Sequence, residues 1–174
     1  MYNESDIEKE VTVLTQRKFR LIIYAVLSLG LMCVIFCLSS QPAPQSQSLS
    51  DGLLYDILVF FGFEDEIRIE LYGKLIRKIA HFAEFAALGM STTLFFAELW
   101  PDKHAGRHRR LLYPFGICAL YAFSDELHQY FVPGRSMQLS DVLLDCAGAL
   151  AAILFLQVLQ ACKYNHREER KNFE

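Results

Sequence analysis

Ionisable side chains interrupt the apolar part of this sequence at spacings that could support acid–base chemistry. His81 and Glu84 stand at i, i+3 spacing in "RKIAHFAEFAALG", so a helix would place them on one face. A second polar block, "SDELHQYFVPGR", supplies Asp125 and Glu126. An imidazole beside a carboxylate can act as general acid or base near neutral pH. The candidate catalytic residues are therefore His81, Glu84, Asp125 and Glu126.

Cationic and acidic residues accompany these groups and indicate a ligand-binding pocket. Arg77 and Lys78 precede His81 by about one helical turn, and Arg135 follows the Pro-Gly turn. Arginine binds phosphate or carboxylate by paired hydrogen bonds. The residues predicted to line one shared pocket are Arg77, Lys78, His81, Glu84, Asp125, Glu126, His128, Gln129, Arg135, Asp141 and Asp145.

Four apolar runs must position these groups: 21–38, 79–99, 111–123 and 142–162. The first has 18 uncharged residues and would reach about 27 Å as a helix, close to the bilayer core of about 30 Å. The third spans only if its helix continues through the polar block. We therefore expect an all-α integral membrane protein with one domain over 1–174. Its four transmembrane helices are expected at about 20–38, 78–99, 110–131 and 141–161.

The segments between these runs predict shorter features. The Ser-, Gln- and Pro-rich stretch "SSQPAPQSQSLS" is typical of an irregular loop. Residues 53–63 are apolar but too few to span, which favours a short re-entrant or interfacial helix. In "VPGR", Pro133 stops a helix and Gly134 permits positive φ. Ser140 is the expected N-cap of the last helix, with Asp141 in its first turn.

Basic residues alternate between the two sides of a four-span topology. Twelve Lys/Arg fall in the N-terminal segment, the 100–110 loop and the C-terminal tail, such as Lys18, Lys103 and Lys163, and five fall on the opposite side. The positive-inside rule then places both termini in the cytoplasm. The polar ends of the last three spans consequently gather on the extracellular side. Buried charges cost about 2.5–3.5 kcal/mol each near a helix centre, so we expect them to face the bundle interior.

Composition excludes several function classes. The net charge of −3 and the lack of a basic tract argue against nucleic acid as a partner. The five cysteines show no CxxC spacing, which argues against a disulfide framework or a zinc site. A metal-dependent variant could use His81, Glu84, Asp125, Glu126, His128 or Asp145, but their spacing matches no established metal signature. We therefore expect no metal and no cofactor.

Three segments resemble the VanZ-like proteins: "FCLSSQPAPQSQSLS", "RKIAHFAEFAALG" and "YAFSDELHQYFVPGRSMQLSDVLLDCAGA". They occur in that family's order from Phe36 to Ala149. One departure is Asp145, where the family commonly has Asn. The motif matches carry over Ser40, Gln41, Lys78, His81, Phe82, Ser124, Asp125, Glu126, Gln129, Pro133, Gly134, Arg135, Asp141 and Gly148. This resemblance adds Gln41 to the expected ligand-binding residues. It also implies a small bacterial membrane protein, and it links some members to lowered susceptibility to teicoplanin-type glycopeptide antibiotics.

Three hypotheses for the pocket stay open at this point. The pocket could bind an envelope lipid headgroup, a cell-wall precursor or a glycopeptide. It could instead belong to a hydrolase or transferase that acts on a lipid-linked substrate through a His/carboxylate pair. In the third hypothesis the charges only lock helices together, and the protein acts by contact with membrane partners. Membrane lipids are expected partners in each case, and the sequence does not give the oligomeric state.

Overall fold

The chain folds as an assembly of long helices. The computed structural model describes residues 4–60, 66–101 and 107–173. Residues 61–63 of the expected short helix and Lys103 of the expected cytoplasmic loop lie outside these ranges. The helices within them are α1 Glu4–Ser39, α2 Ala43–Phe60, α3 Glu66–Leu99, α4 Arg107–Gln129 and α5 Leu139–Phe173.

Three of these helices contain segments long and apolar enough to cross a membrane. The segments are Glu10–Ser39 in α1, Tyr72–Leu99 in α3 and Leu139–Cys162 in α5. Helix α4 has 23 residues, about 35 Å of helix, but its uncharged run covers only 111–123. The all-α membrane class is confirmed, whereas the fourth span stays a prediction for α4.

Prolines explain where α1 and α3 end. Ser40 N donates to Phe36 O (2.9 Å) and Gln41 N to Leu38 O (3.3 Å), after which Pro42 has no N–H to continue the helix. Helix α3 runs unbroken from Glu66 to Leu99. Pro101 then disfavours helical geometry at the residue before it.

The prediction of an irregular loop over the Ser-, Gln- and Pro-rich stretch is wrong, because α2 begins within it at Ala43. Pro44 is tolerated because the first helical turn does not need its missing N–H. Ser46 N closes that turn on Pro42 O at 3.0 Å. Tertiary contact stabilises the remainder of α2, because the helix packs along α3 and its Asp51 side chain lies against Gly73.

The last helix begins two residues earlier than predicted. Helix α5 starts at Leu139, and the backbone N–H groups of Asp141 and Val142 both donate to Gln138 O. Ser140 therefore lies inside the first turn, where its hydroxyl donates to Asp141 Oδ1 at 3.2 Å. The predicted Pro-Gly turn is confirmed, because Gly134 has φ 77°.

The apolar core lies between four helices, directly beneath the polar ends. Its buried members are Ile35 of α1, Phe85 and Leu88 of α3, Cys118 and Ala122 of α4, and Val142 and Ala149 of α5. Leu88 and Ala122 stand about one turn below Glu84 and Glu126. The polar cluster consequently forms a layer on top of a packed apolar floor.

Helices α3 and α5 approach so closely that two glycines are required. A Cβ on Gly89 would lie 2.7 Å from the carbonyl oxygen of Ala149, and a Cβ on Gly148 would overlap the carbonyl oxygen of Phe82. Small residues at such positions let neighbouring helices approach closely.

A second polar cluster lies at the opposite end of the bundle. Arg20 donates to both carboxylate oxygens of Glu98, at 2.7 and 3.2 Å. Arg17 donates to the final carbonyls of α3, at Glu98 and Leu99. Trp100 stacks on Phe96 beside them. Paired arginine contacts thus hold α1 to the end of α3, far from His81.

Candidate functional site

The predicted polar residues converge at one end of the bundle. Helix α3 carries His81 there, α4 carries Asp125 in its last turn and α5 carries Asp145 in its second turn. One ligand-capable atom from each of these three side chains lies within 4.8 Å of the other two. Three helices that are distant in sequence therefore deliver their side chains to a single position.

A cavity of about 300 Å³ opens beside His81. Its walls come from the start of α2, the first half of α3, the α4–α5 turn and the start of α5. The residues that line it are Ala43, Lys74, Arg77, Lys78, His81, Gln129, Gly134, Arg135, Ser136, Gln138 and Asp141. Four of these side chains are cationic and one is a carboxylate, so the cavity carries a positive excess.

The cations on the cavity wall differ in their partners. Lys78 Nζ donates to Asp141 Oδ1 at 2.7 Å, so the wall carboxylate already has a cation. For Lys74, Arg77 and Arg135 the structure shows no side-chain hydrogen bond or ion pair with a residue whose side chain it describes. Burial lowers the pKa of the Arg135 guanidinium from its ordinary value, while the nearby Asp125 carboxylate acts in the opposite direction. An anion in the cavity would restore some of the solvation that Arg135 has lost.

Asp125 is buried and held in one orientation. Its Oδ2 accepts hydrogen bonds from Ser39 Oγ and Gln129 Nε2, both at 2.8 Å. Its Oδ1 is buried and has no hydrogen-bond partner within residues 4–60, 66–101 and 107–173. Helix α1 thus contributes to the site through Ser39, which fixes one oxygen of the carboxylate and leaves the other free.

Asp145 and His81 lie beside Asp125 with even fewer contacts. Asp145 is 0 % exposed, and neither of its carboxylate oxygens has a hydrogen-bond partner in the described part of the chain. His81 Nδ1 is also buried and accepts or donates no hydrogen bond there, although it lies 4.0 Å from both Glu84 Oε2 and Asp145 Oδ1. Buried polar groups without partners are rare and costly, so this concentration marks a site with a specific use.

Glu126 and His128 face different surroundings from their neighbour Asp125. Glu126 is 1 % exposed, and its Oε2 accepts the backbone N–H of Gln138 at 2.9 Å, which fixes the start of α5. His128 Nε2 lies 3.0 Å from Ser40 Oγ, and its ring stacks on Phe36 at 4.4 Å. Both residues hold helices together at the cavity's edge and do not line its wall.

Three other residues named from the sequence also lie outside the cavity wall. Gln41 is half-buried in the α1–α2 connection, where its backbone N–H donates to Leu38 O. Ser124 is exposed, and its hydroxyl donates to the Tyr121 carbonyl of its own helix. Glu84 is half-buried and reaches the site only through its 4.0 Å approach to His81.

Sequence reasoning missed Ser39 and Ser136. Ser39 is 1 % exposed and lies four residues after the buried Ile35, so helical periodicity could have placed it on the inward face of α1. Ser136 follows Arg135 in the turn and lines the cavity. No periodic signal marks it, because it belongs to no helix.

The arrangement supports two kinds of chemistry. Cations around a concave wall bind anions, and a histidine grouped with two carboxylates can move a proton or ligate a cation. These two functions lie side by side, because His81 lines the cavity wall and also forms, with Asp125 and Asp145, the group that we call the buried trio.

Comparison with known proteins agrees with the motifs and the fold. No curated protein and no solved structure matches the chain significantly. A family model described as VanZ/LLP1 matches residues 22–160. The match begins within the α1 segment Glu10–Ser39, includes Tyr72–Leu99 and stops two residues before the end of Leu139–Cys162. It therefore contains the whole polar site. The chain therefore belongs to the VanZ/LLP1 family.

Proposed function

We propose that this protein binds the anionic headgroup of an amphiphilic envelope molecule, such as a phosphorylated lipid, a cell-wall precursor or a lipid-tailed glycopeptide. The carrying observation is the cavity of about 300 Å³ whose wall holds four cations against one carboxylate. Since Lys78 already pairs with that carboxylate, the other three cations are available to a ligand. Arg77 and Arg135 would bind phosphate or carboxylate through paired hydrogen bonds.

Binding can be measured with purified protein in nanodiscs and three probes: a phosphatidic acid, lipid II and teicoplanin. We expect saturable binding of at least one probe, weakened at least about tenfold by Arg135→Gln, because a charged hydrogen bond contributes about 1.5–3 kcal/mol. Lys18→Gln is the matched control, since it removes an exposed positive charge from α1 near the Arg20–Glu98 end. No saturable binding, or equal binding by both variants, would contradict the proposal.

A change in glycopeptide susceptibility follows only if the teicoplanin or lipid II arm succeeds. Capture of either molecule at the membrane would alter how much drug reaches its target. Expression in a susceptible bacterium should then raise the inhibitory concentration of teicoplanin, and Arg135→Gln should abolish the rise. If only the phosphatidic acid binds, we expect unchanged susceptibility and a role in lipid recognition.

The proposed membrane orientation places the cavity on the extracellular side. Helix α4 would form the fourth span, since its 23 residues are long enough and it packs along α3 and α5. Helix α2 would then lie near the outer membrane surface. The Lys/Arg distribution supports cytoplasmic termini.

Labelling of single cysteines in a cysteine-free background tests this orientation. A membrane-impermeant maleimide on intact cells should label Ser136→Cys at the cavity and should not label Lys18→Cys. The reverse pattern would place the cavity in the cytoplasm and contradict the proposed topology.

The second candidate function is hydrolysis or transfer on the same lipid-linked substrate. It is favoured by the placement of His81 between the cavity and two buried carboxylates. His81 could take a proton from a water whose oxygen bonds to phosphorus as the P–O bond to the lipid breaks, and could then return that proton to the departing lipid oxygen. Release of inorganic phosphate from a bound lipid phosphate, lost in His81→Gln while binding persists, would establish catalysis. Binding without turnover would leave recognition as the function.

A further inference from the structure

The buried trio of His81, Asp125 and Asp145 has the composition of a divalent metal site. Each residue comes from a different helix, and each offers one ligand atom within 4.8 Å of the other two. One imidazole nitrogen and two carboxylate oxygens are ligands that Zn²⁺ and Mn²⁺ accept. Two carboxylates would also balance the charge of one divalent cation.

Four nitrogen and oxygen atoms of the trio have no hydrogen-bond partner among the residues that the structure describes. They are both carboxylate oxygens of the fully buried Asp145, His81 Nδ1 and Asp125 Oδ1. A buried unsatisfied carboxylate is among the more costly groups in a folded protein. Four unpartnered atoms on three converging side chains are explained together if one cation lies between them.

Asp125 also has the supporting contacts that are typical of a metal ligand. Ser39 and Gln129 donate to Oδ2 only, which fixes the carboxylate while Oδ1 stays free. Hydrogen bonds of this type orient ligating side chains in metalloproteins. Glu84, whose Oε2 lies 4.0 Å from His81 Nδ1, adds negative charge nearby and offsets the positive charge of Arg135.

A direct ion pair explains the spacing less well than a metal does. His81 Nδ1 and Asp145 Oδ1 lie 4.0 Å apart, which is beyond hydrogen-bonding distance. Ligands about 2.0–2.2 Å from one cation lie about 3–4 Å from one another. The His81–Asp145 separation is thus at the upper edge of metal geometry. The trio as a whole is confined to within 4.8 Å, so side-chain shifts of up to about an ångström would bring all three ligands into range.

We propose that His81, Asp125 and Asp145 bind one divalent transition-metal ion, of the Zn²⁺ or Mn²⁺ class, at the floor of the cationic cavity. The sequence spacing predicted no metal, because the three ligands are up to 64 positions apart and meet only through the packing of α3, α4 and α5. Three protein ligands leave coordination positions open. Since His81 lines the cavity, those positions would face it and could accept an anionic oxygen.

The test uses the full-length protein with a histidine-free tag, stripped with chelator and dialysed against Mn²⁺ or Zn²⁺ alone. We expect one equivalent of metal per chain by elemental analysis and a single population of immobilised Mn²⁺ by electron paramagnetic resonance. Asp145→Asn and His81→Gln should each weaken binding by about tenfold or more. Glu98→Gln, which removes a carboxylate at the other end of the bundle, should bind as the unaltered chain does.

The five free cysteines need their own control, because exposed Cys33, Cys37 and Cys162 could bind Zn²⁺. Co²⁺ loading separates the two sites: nitrogen and oxygen ligation gives weak visible bands without the intense near-ultraviolet absorption of thiolates. A metal-induced rise in melting temperature of the unaltered protein provides a readout that needs no variant to fold.

Two results would overturn the metal proposal: stoichiometric metal absent from the unaltered protein, or binding unchanged in Asp145→Asn and His81→Gln. The assay contains no lipid or glycopeptide, so it can fail while headgroup binding stands. Headgroup binding can likewise fail in both chelated and metal-loaded protein while the metal site stands.

Discussion

At the scale of single residues, the site is defined by what Asp145 lacks. On α5 it lies between Leu144 and Cys146, with Asp141 one turn away, and its carboxylate receives no hydrogen bond from any described residue. The structure differs here from a charge network that only holds helices together, because such a network pairs its members. Lys78 with Asp141 and Glu126 with the Gln138 backbone are paired in that way, whereas Asp145 has only the 4.0 Å approach of His81 Nδ1.

Asp145→Asn should therefore raise the stability of metal-free protein. The amide has nearly the same shape and removes the cost of burying a carboxyl group that has no hydrogen-bond partner among the described residues, which is expected to stabilise the fold by about 1–3 kcal/mol. The measurement is the melting temperature in chelator, with and without the substitution. A lower melting temperature would show that the carboxylate makes stabilising contacts, as the purely structural hypothesis requires.

The motif residues could be identified from the sequence, but the side chains that they contact in the fold could not. Helical phase predicted that His81, Asp125 and Asp145 face inward, and the structure confirms that Asp125 and Asp145 are buried. The contacts of His128 with Phe36 and Ser40 could not be predicted. They depend on the end of α1 lying beside the last turn of α4, which is a matter of tertiary packing.

At the scale of helices, the turn between α4 and α5 positions the cavity wall. Gly134 has positive φ, and Pro133 O accepts the backbone N–H of Ala43 at 3.2 Å. This bond attaches the start of α2 to the turn that carries Arg135. The wall therefore depends on a backbone conformation that favours glycine.

Gly134→Ala should destabilise the fold by about 1–2 kcal/mol, because a side chain strains the left-handed conformation. The added Cβ would also lie 3.2 Å from that of Ala43. Gly116→Ala is the matched control: it lies in α4 with no atom within 4 Å of its added Cβ, and it should be neutral or stabilising. Chemical denaturation in detergent measures both, and equal effects would contradict this assignment.

Gly148→Val should disrupt both packing and the buried trio. A side chain there meets the Phe82 carbonyl, one residue from His81, so α3 and α5 must separate. We expect lower stability and weaker metal binding together, measured by melting temperature and Mn²⁺ titration. Gly30→Val, whose added Cβ has nothing within 4 Å, should change neither. Intact metal binding in Gly148→Val would show that the trio does not depend on this helix spacing.

Helix positions were predictable where apolar runs were long, and less so elsewhere. The run 21–38 identified α1, and 79–99 identified α3, because hydrocarbon thickness sets the length of an apolar run. Both helices extend beyond these runs, to Glu4 and Glu66. Helix α2 was missed between Ala43 and residue 52, since proline and serine tolerate a first turn that tertiary contact then stabilises. The role of α4 as a span could not be settled from hydropathy, because charged residues occupy both of its ends.

At the scale of the whole molecule, two polar clusters lie at opposite ends of one apolar core. Arg20 and Glu98 form one, and the cationic cavity with its buried trio forms the other. Glu84 and Glu98 are separated by about 21 Å of helix along α3. The two clusters share no side chain, so each can change without the other.

Glu98→Gln and Asp145→Asn should consequently have additive effects on stability, within about 0.5 kcal/mol. Glu98→Gln alone should destabilise, since it weakens the paired contact with Arg20. A double-mutant cycle by denaturation in detergent gives the coupling energy. A larger coupling would mean that the core transmits strain between the two ends.

The contact of Gly148 with the Phe82 backbone also limits what can enter between α3 and α5. No hydrocarbon chain fits there, so any lipid held by the cavity would keep its tails in the surrounding bilayer. Selection would then ignore chain length and saturation, and one protein could serve every molecular species that shares a headgroup.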